Sequence, residues 1–407
     1  MAGEWRELPF SDAVMVNPRV ELKRGVEYPF VDMQALNPGA RCVYPSEHRI
    51  FDGGGSRFAP GDTLMARITP CLENGKTGRF CAPPDSMAHG STEFIVIRGR
   101  EGVTDTAYAY YLTRWEGVSG YAISQMTGTS GRQRVPTESL DHLLVPIAPL
   151  HEQRAIARIL GTLDDKIELN RRMNETLEAI ARVIFKSWFV DATLEEFPKG
   201  WNESELGEIA EVIDCLHSKK PERRPTGKPL LQLCNIRDDG LIDMTDTYYI
   251  TEDDYRYWIS RMEGSPGDCV ITNVGRVAAT AQIPEGLRVA LGRNMTGMRC
   301  RSSFPYPTFL IEGLRSSAMK EEIVLKTDTG TILDALNVRN IPRLRFVKPT
   351  NEAAARFEAI CRPLRAKMEQ NAAESHTLAA LRDTLLPKLI SGEMRVHEAT
   401  AFTKTAT

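Results

Sequence analysis

Between residues 152 and 190 the apolar positions recur in alternating steps of four and three. From Ile156 they run through Leu160, Leu163, Ile167, Asn170, Asn174, Leu177, Ala181, Ile184 and Trp188. Steps of four and three keep side chains on one face of a helix, so the spacing predicts a long helix with a heptad seam over 151–192. A second seam, Phe357, Ile360, Leu364, Asn371, Leu378, Leu381 and Leu385, predicts another over 350–395. Both seams turn polar near the middle, where an asparagine weakens packing but fixes register, because its amide needs a buried partner. Two such seams predict helices that pack on each other as an antiparallel coiled coil. Its core is expected from Leu160, Leu163, Ile167, Asn170, Leu177 and Ile184 on one side and Leu364, Asn371, Leu378, Leu381 and Leu385 on the other. The plainer alternative makes each a long amphipathic core helix. It is disfavoured because neither seam has a globular unit long enough to wrap it.

Elsewhere the period falls to two. Thr63–Ile68 alternates with Leu64, Ala66 and Ile68 on one face, and Glu93–Arg98 (EFIVIR) is a second strand candidate. Glycine and proline punctuate closely, as at Asp52–Gly55 and Pro83–Pro84, and Asp105–Trp115 is the best helix candidate nearby. The same outline returns further on. YPFVDMQALNPG at 28–39 is matched by KPLLQLCNIRDDG at 228–240, and GDTLMARITP at 61–70 by GDCVITNVGR at 267–276. A TGT stands at Thr127–Thr129 and again at Thr329–Thr331, with offsets from 196 (Trp5 to Trp201) to 206 (Gly61 to Gly267). The repeat predicts Cys269–Val274 as the second copy of the strand and Thr308–Glu322 as the second copy of the helix. The chain is therefore expected to be mixed α/β (α+β), with two strand-rich units in tandem at 1–150 and 193–349, each followed by a long helix. Residues 396–407 read as a disordered tail. Two copies of one unit suit a molecule that recognises two things at a fixed separation.

Composition narrows the class. A chain of 407 residues, 42% hydrophobic and 26% charged, suits a soluble protein of two to three domains. The longest apolar run, Leu143–Leu150, is short and broken by prolines, so no membrane span is expected, and MAGEWRELPF lacks the features of a secretory signal. Eight scattered cysteines without a CxxC pair argue against zinc and for free thiols in a cytoplasmic protein. No catalytic site emerges. Gly75-Lys76-Thr77 lacks the earlier glycine of a phosphate loop, because Pro70 stands there. Asn17 and Asn37 are not followed by the two prolines and aromatic of an amino-methyltransferase motif. The seven histidines form no HExxH or HxH pair and are expected to be structural, and Ser130-Gly131 sits in no GxSxG elbow. Neither a catalytic residue, a metal nor a cofactor is expected on this chain. With a net charge of −3, any nucleic-acid surface must be a local patch. Lys219, Lys220, Arg223, Arg224 and Lys228 crowd together in the second copy, opposed by Glu222. In the first, Arg67, Lys76, Arg79, Arg132 and Arg134 lie near glycines. Such cations suit phosphates, while Arg67, Gln133, Asn273 and Arg276 have the donors and acceptors, or the charge, for base edges and backbone. For any one of them a solvated charged loop is the competing reading.

Three segments resemble a known family. Pro149–Gln153 (PLHEQ), Leu163–Arg171 (LDDKIELNR) and Phe185–Asp191 (FKSWFVD) closely resemble the central conserved region of the specificity subunits of type I restriction–modification systems. Leu381–Glu393 is similar to that family's distal conserved region, and Gly61–Leu64 with Pro70–Gly75 to its first target-recognition domain. The resemblance implies two target-recognition domains, each reading one half of a bipartite double-stranded DNA sequence, with the helix pair setting the spacer. It further implies that the helices dock two methyltransferase subunits, that a restriction and translocase subunit joins them, and that S-adenosylmethionine and ATP are bound by those partners. One departure stands out: Thr350-Asn351-Glu352 opens the second helix where Leu150-His151-Glu152-Gln153 opens the first. The rival expectations are a non-catalytic coiled-coil adaptor and a stand-alone restriction or modification enzyme.

Overall fold

The computed structural model describes residues 4–129, 131–193, 196–328 and 335–399. Ser130, the second TGT at Thr329–Thr331 and residues 400–407 of the expected tail lie outside them. The chain forms two compact units, Met1–Leu169 with Ser375–Thr407, and Asn170–Glu374. The tail expectation needs correcting at its start, because residues 396–399 form a helical turn closed by Ala399 N donating to Arg395 O (3.1 Å), with Ala399 buried.

In the first unit a five-stranded sheet runs in the order Val14–Val16, Phe94–Gly99, Thr63–Ala66, Thr77–Phe80, Cys42–Val43. Thr63–Ala66 is a central strand buried on both faces, which is why all four of its residues are inaccessible rather than alternate ones. A four-stranded sheet, Glu47–Ile50, Glu27–Val31, Ala88–Gly90, Ser56–Phe58, packs against it through Val31, Phe58, Leu64, Phe80 and Phe94. Cys42–Val43 pairs parallel with Arg79–Phe80, and this register brings Cys42 and Cys81 to a Cα separation of 5.5 Å, where they form a disulfide. The expectation of free thiols is corrected at these two positions and holds for Cys71, Cys215, Cys234, Cys269, Cys300 and Cys361.

The second unit repeats the plan. One four-stranded sheet runs Ala210–Asp214, Met295–Cys300, Cys269–Thr272, Thr280–Gln282, and the other Tyr248–Ile250, Lys228–Leu231, Val289–Leu291, Glu263–Gly264. The single helix expected over 308–322 is two, Pro307–Arg315 and Ser317–Lys326, separated at Ser316, which takes an extended conformation and caps the second through Met319 N.

The central helix spans Leu150–Phe185 and continues as a π-turn, Lys186–Val190; the distal helix spans Asn351–Ser391. In each unit the segments of the two helices run antiparallel. In the first, Asp164 meets Arg382 and Glu152 meets Arg395. In the second, Asn174 Nδ2 donates to Met368 O (3.0 Å), Asn371 Nδ2 to Asn174 Oδ1 (2.9 Å), and Asn170 Nδ2 to Glu374 Oε2 (2.8 Å). The asparagines therefore spend their amides across the pair, as register-fixing residues must.

Of the expected core, Leu160, Leu163, Asn170, Asn371, Leu378 and Leu385 are buried. Ile167, Leu177, Ile184, Leu364 and Leu381 are only half-buried, and Ile360 is exposed. On the distal helix the alternate buried position falls one residue later than expected, at Cys361, Arg365, Met368 and Arg382. The cause is a second client: these helices face the globular elements as well as each other, so the stripe is wider than a two-helix seam. Near Ile184 the same shift buries Phe185 and Phe189 instead, in a cluster with Phe309 and Phe357.

Each helix is keyed to its unit by buried polar groups. Gln153, fully buried, accepts from Asp105 N (2.8 Å) and donates to Val103 O (2.9 Å) and Ala148 O (2.7 Å), which explains the glutamine closing the PLHEQ segment. The second helix start lacks that glutamine, and Glu358 supplies a comparable link. Its carboxylate accepts from Thr308 N (2.9 Å) and Phe309 N (3.2 Å), capping Pro307–Arg315, which has no side-chain cap of its own. Burial pushes the Glu358 carboxyl up from its ordinary range, opposed by these hydrogen bonds.

Candidate nucleic-acid interface

In the first unit the parallel strands Glu27–Val31 and Ala88–Gly90 end at the same edge as the strand Thr63–Ala66. Arg67 N donates to Glu93 O (2.9 Å), Val135 N to Arg67 O (2.9 Å) and Thr69 N to Gln133 O (3.0 Å), so the glycine-rich segment after Thr127 is stitched along this edge. Lys76 Nζ reaches Met33 O (2.8 Å), and Arg134 forks onto the Glu93 carboxylate (Nη2–Oε1 2.7 Å). The structure thus gathers Arg67, Lys76, Arg132, Gln133 and Arg134 on one edge. Arg67 is half-buried, and its Nε has no hydrogen-bond partner among the described residues. Arg79 does not belong there. It stands at the far end of its strand, opposite Thr63, donates to Gly61 O (3.2 Å) and lies beside Arg41 and Tyr111.

The equivalent edge of the second unit is identified by the same backbone bonds. Asn273 N donates to Asn294 O (2.8 Å) and Leu336 N to Asn273 O (2.9 Å), making Asn273 the counterpart of Arg67 and Asn294 that of Glu93. The base-reading expectation for Asn273 fails. Its side chain is buried, paired with Thr296 Oγ1 (3.0 Å) and weakly with Leu336 O (3.5 Å), because residues 335–336 cover the strand end. Arg276 is committed to Ile236 O and Asp238. Most of the basic run is already engaged. Lys220 Nζ sits 3.9 Å from the centre of the Tyr248 ring, Tyr248 OH donates to Pro221 O (2.6 Å), Arg223 pairs with Asp246, and Arg224 with Glu222 (3.0 Å). Lys219 remains exposed with no ion pair among the described residues. Sequence reasoning missed a cavity of about 280 Å³ beside this run, lined by Lys220, Gln232, Leu233, Trp258, Arg293 and Asn294. The signal available was the repeat itself, which sets Asn294 against Glu93.

Two clusters elsewhere have a structural account. His89 is buried against the Phe30 and Phe51 rings with Nε2 3.3 Å from Arg49 O, as expected of a core histidine. Asp214, Cys215 and His217 bring ligand-type atoms within 4.8 Å of one another. Asp214 is already engaged by His217 (2.9 Å) and Arg261 (3.4 Å), and burial holds the Cys215 thiol up in its protonated form. A guanidinium on the only carboxylate disfavours a cation there.

Among the described residues no helix is long and apolar enough to cross a membrane. The family described as Type I restriction modification DNA specificity domain matches residues 60–179, which span the first edge and most of the central helix. The MjaIX specificity subunit of Methanocaldococcus jannaschii is 26% identical over 325 residues, covering 75% of this chain and 72% of that protein. The HindI specificity subunit of Haemophilus influenzae is 22% identical over 82% of this chain and 86% of its own. The crystal structure of a type I restriction-modification system S subunit from M. genitalium shares the fold, with a TM-score of 0.55 at 16% identity over 95% of this chain and 96% of that one. In one family domain and in relatives that span most of its length, the chain is similar to the specificity subunits of type I restriction–modification systems.

Proposed function

We propose that each globular unit reads one half of a bipartite sequence in double-stranded DNA, while the helix pair sets the spacer and docks two methyltransferase subunits. The chain itself performs no chemical step; S-adenosylmethionine and ATP bind to the methyltransferase and to a restriction and translocase subunit of a cytoplasmic complex. The observation that carries the reading is the pair of equivalent edges with unlike chemistry: Arg67 and an Arg134–Glu93 fork in one, Asn294 beside Arg293 and Lys220 in the other. Equal scaffolds with different donors are what two unlike half-sites require. Methylome sequencing of the host with and without the gene tests it. Loss of a single two-part methylated motif is expected; an unchanged methylome would overturn the proposal.

Two narrower outcomes follow. Arg67→Ala should cost about 1–3 kcal/mol of specific binding and relax one base position in one half-site only. An equal loss on cognate and random DNA, with a shallower salt dependence, would make Arg67 a phosphate contact instead. Inserting one heptad into each helix, near Asn174 and near Asn371, keeps the seam in phase and adds ~10 Å. The spacer should then grow by at most ~3 base pairs. An active variant with its old spacer would mean that the helices do not set the distance.

A further inference from the structure

The cavity in the second unit lies at the carboxyl ends of two parallel strands. Lys228–Leu231 and Val289–Leu291 pair with Leu230 opposite Ala290 and Leu231 opposite Leu291. Gly292 then turns the chain with its N–H on Leu231 O (2.9 Å), and a Cβ there would fall 2.2 Å from that oxygen. The turn delivers Asn294 in a left-handed conformation (φ 63°), which asparagine tolerates better than most residues. Its backbone is pinned by Asn273, while its amide side chain has no hydrogen bond among the described residues and is half-exposed at the cavity. Gln232, by contrast, spends its amide on Leu231 O (3.0 Å) and the Asn235 turn, so it serves as wall. Trp258 and Leu233 supply the apolar lining. At the rim, Arg293 is exposed and Lys220 lies over Tyr248, and neither has a carboxylate partner among the described residues. A cleft with one uncommitted amide inside and unpaired cations outside is complementary to a base edge flanked by phosphates.

We infer that this cleft is the base-reading pocket of the second unit, with Asn294 presenting its amide to a base edge, of adenine type by its paired donor and acceptor, and Arg293 holding the adjacent phosphate. The inference rests on the proposed function and assigns the residue that performs it in this unit. It also gives Asn294 the reading role that the strand position suggested for Asn273.

The test uses the subunit assembled with its methyltransferase partners. The probes are a duplex carrying the bipartite motif obtained from the methylome and a scrambled duplex of equal length. Asn294→Gly keeps the left-handed backbone without steric cost and removes only the side chain. It should weaken binding to the motif by roughly 5- to 150-fold and leave the scrambled duplex unaffected, with methylation relaxed at one position of one half-site. Asn294→Asp, which replaces the amide donor with a second acceptor, should move preference at that same position. Arg293→Gln should weaken both duplexes alike and make the salt slope shallower by about one. Equal losses on both duplexes for Asn294→Gly, or none, would overturn the pocket while leaving the two-part motif of the native subunit intact. A native complex with no two-part motif at all would overturn the proposed function itself.

Discussion

Arg382→Ala should destabilise the first unit by about 3–5 kcal/mol, read as an earlier urea or thermal transition of the purified subunit. Arg382 Nη1 lies 2.7 Å from Asp164 Oδ1, and the two side chains are 5% and 2% exposed. Tyr111 OH donates to the other carboxylate oxygen at 2.7 Å, and burial first, then the Asp164 charge, drives the Tyr111 hydroxyl well above its ordinary pKa. Removing the guanidinium strands a carboxylate in a dry site with one neutral hydrogen bond, and that desolvation sets the size of the loss. Asp164→Leu with Arg382→Met should recover most of it, since a matched apolar pair has no charge to bury. The exposed neighbour Asp383, whose side chain is 58% accessible, is the control. Asp383→Ala should change stability by less than ~1 kcal/mol. A loss of that small size for Arg382→Ala would mean that water reaches the pair.

Phe357→Ala should cost the second unit about 3–5 kcal/mol, by the transfer of the ring and the hole it leaves. The ring is fully buried, with centroids of Phe189, Phe185 and Phe309 at 5.3, 5.6 and 6.2 Å. These four rings come from the central helix, its π-turn, the helix Pro307–Arg315 and the distal helix. A collapse into the hole would therefore have to move several elements together. Phe357→Leu retains most of the volume and should lose well under half as much. Similar losses for both variants would point to the edge-to-face ring geometry, rather than volume, as what holds the cluster.

The helices were legible because a 3.5-residue period sustained over roughly eight to nine turns leaves little room for another structure. What the pattern could not show was the phase of the distal stripe. Ile360 is 44% exposed and Cys361 buried, and the side chains at Arg365 and Arg382 are charged where a hydrophobic code expects leucine. Arg365 is paid for by Glu312 (3.1 Å), Gln282 Oε1 (3.0 Å) and Gly240 O (2.9 Å), partners 53 to 125 residues away, which no window around residue 365 contains. The same distance hid the disulfide, since only the parallel pairing of Cys42–Val43 with Arg79–Phe80 reveals it. At the candidate edges, the repeat located equivalent strand ends, and the backbone bonds bring Arg67, Gln133 and Arg134 together on one of them. Asn273 misled because its strand end is roofed by Leu336. Asn294 went unseen because nothing in Gly292-Arg293-Asn294 announces the left-handed backbone that sets its amide at the cavity.

The two ends of the described chain meet within the first unit. Trp5 Nε1 donates to Glu152 Oε2 (2.9 Å), Arg395 reaches Glu152 Oε1 (3.4 Å), and the Arg395 guanidinium stands 5.8 Å from the Trp5 ring centre. A polypeptide whose head and tail are neighbours is topologically close to a ring, and where a ring is cut matters little to its packing. A gene rearranged to begin near residue 196 and to run through a short linker from the old carboxyl end to the old amino end would encode the same contacts in rotated order. The order of the two units along the chain would then be set by where that ring is opened rather than by the packing.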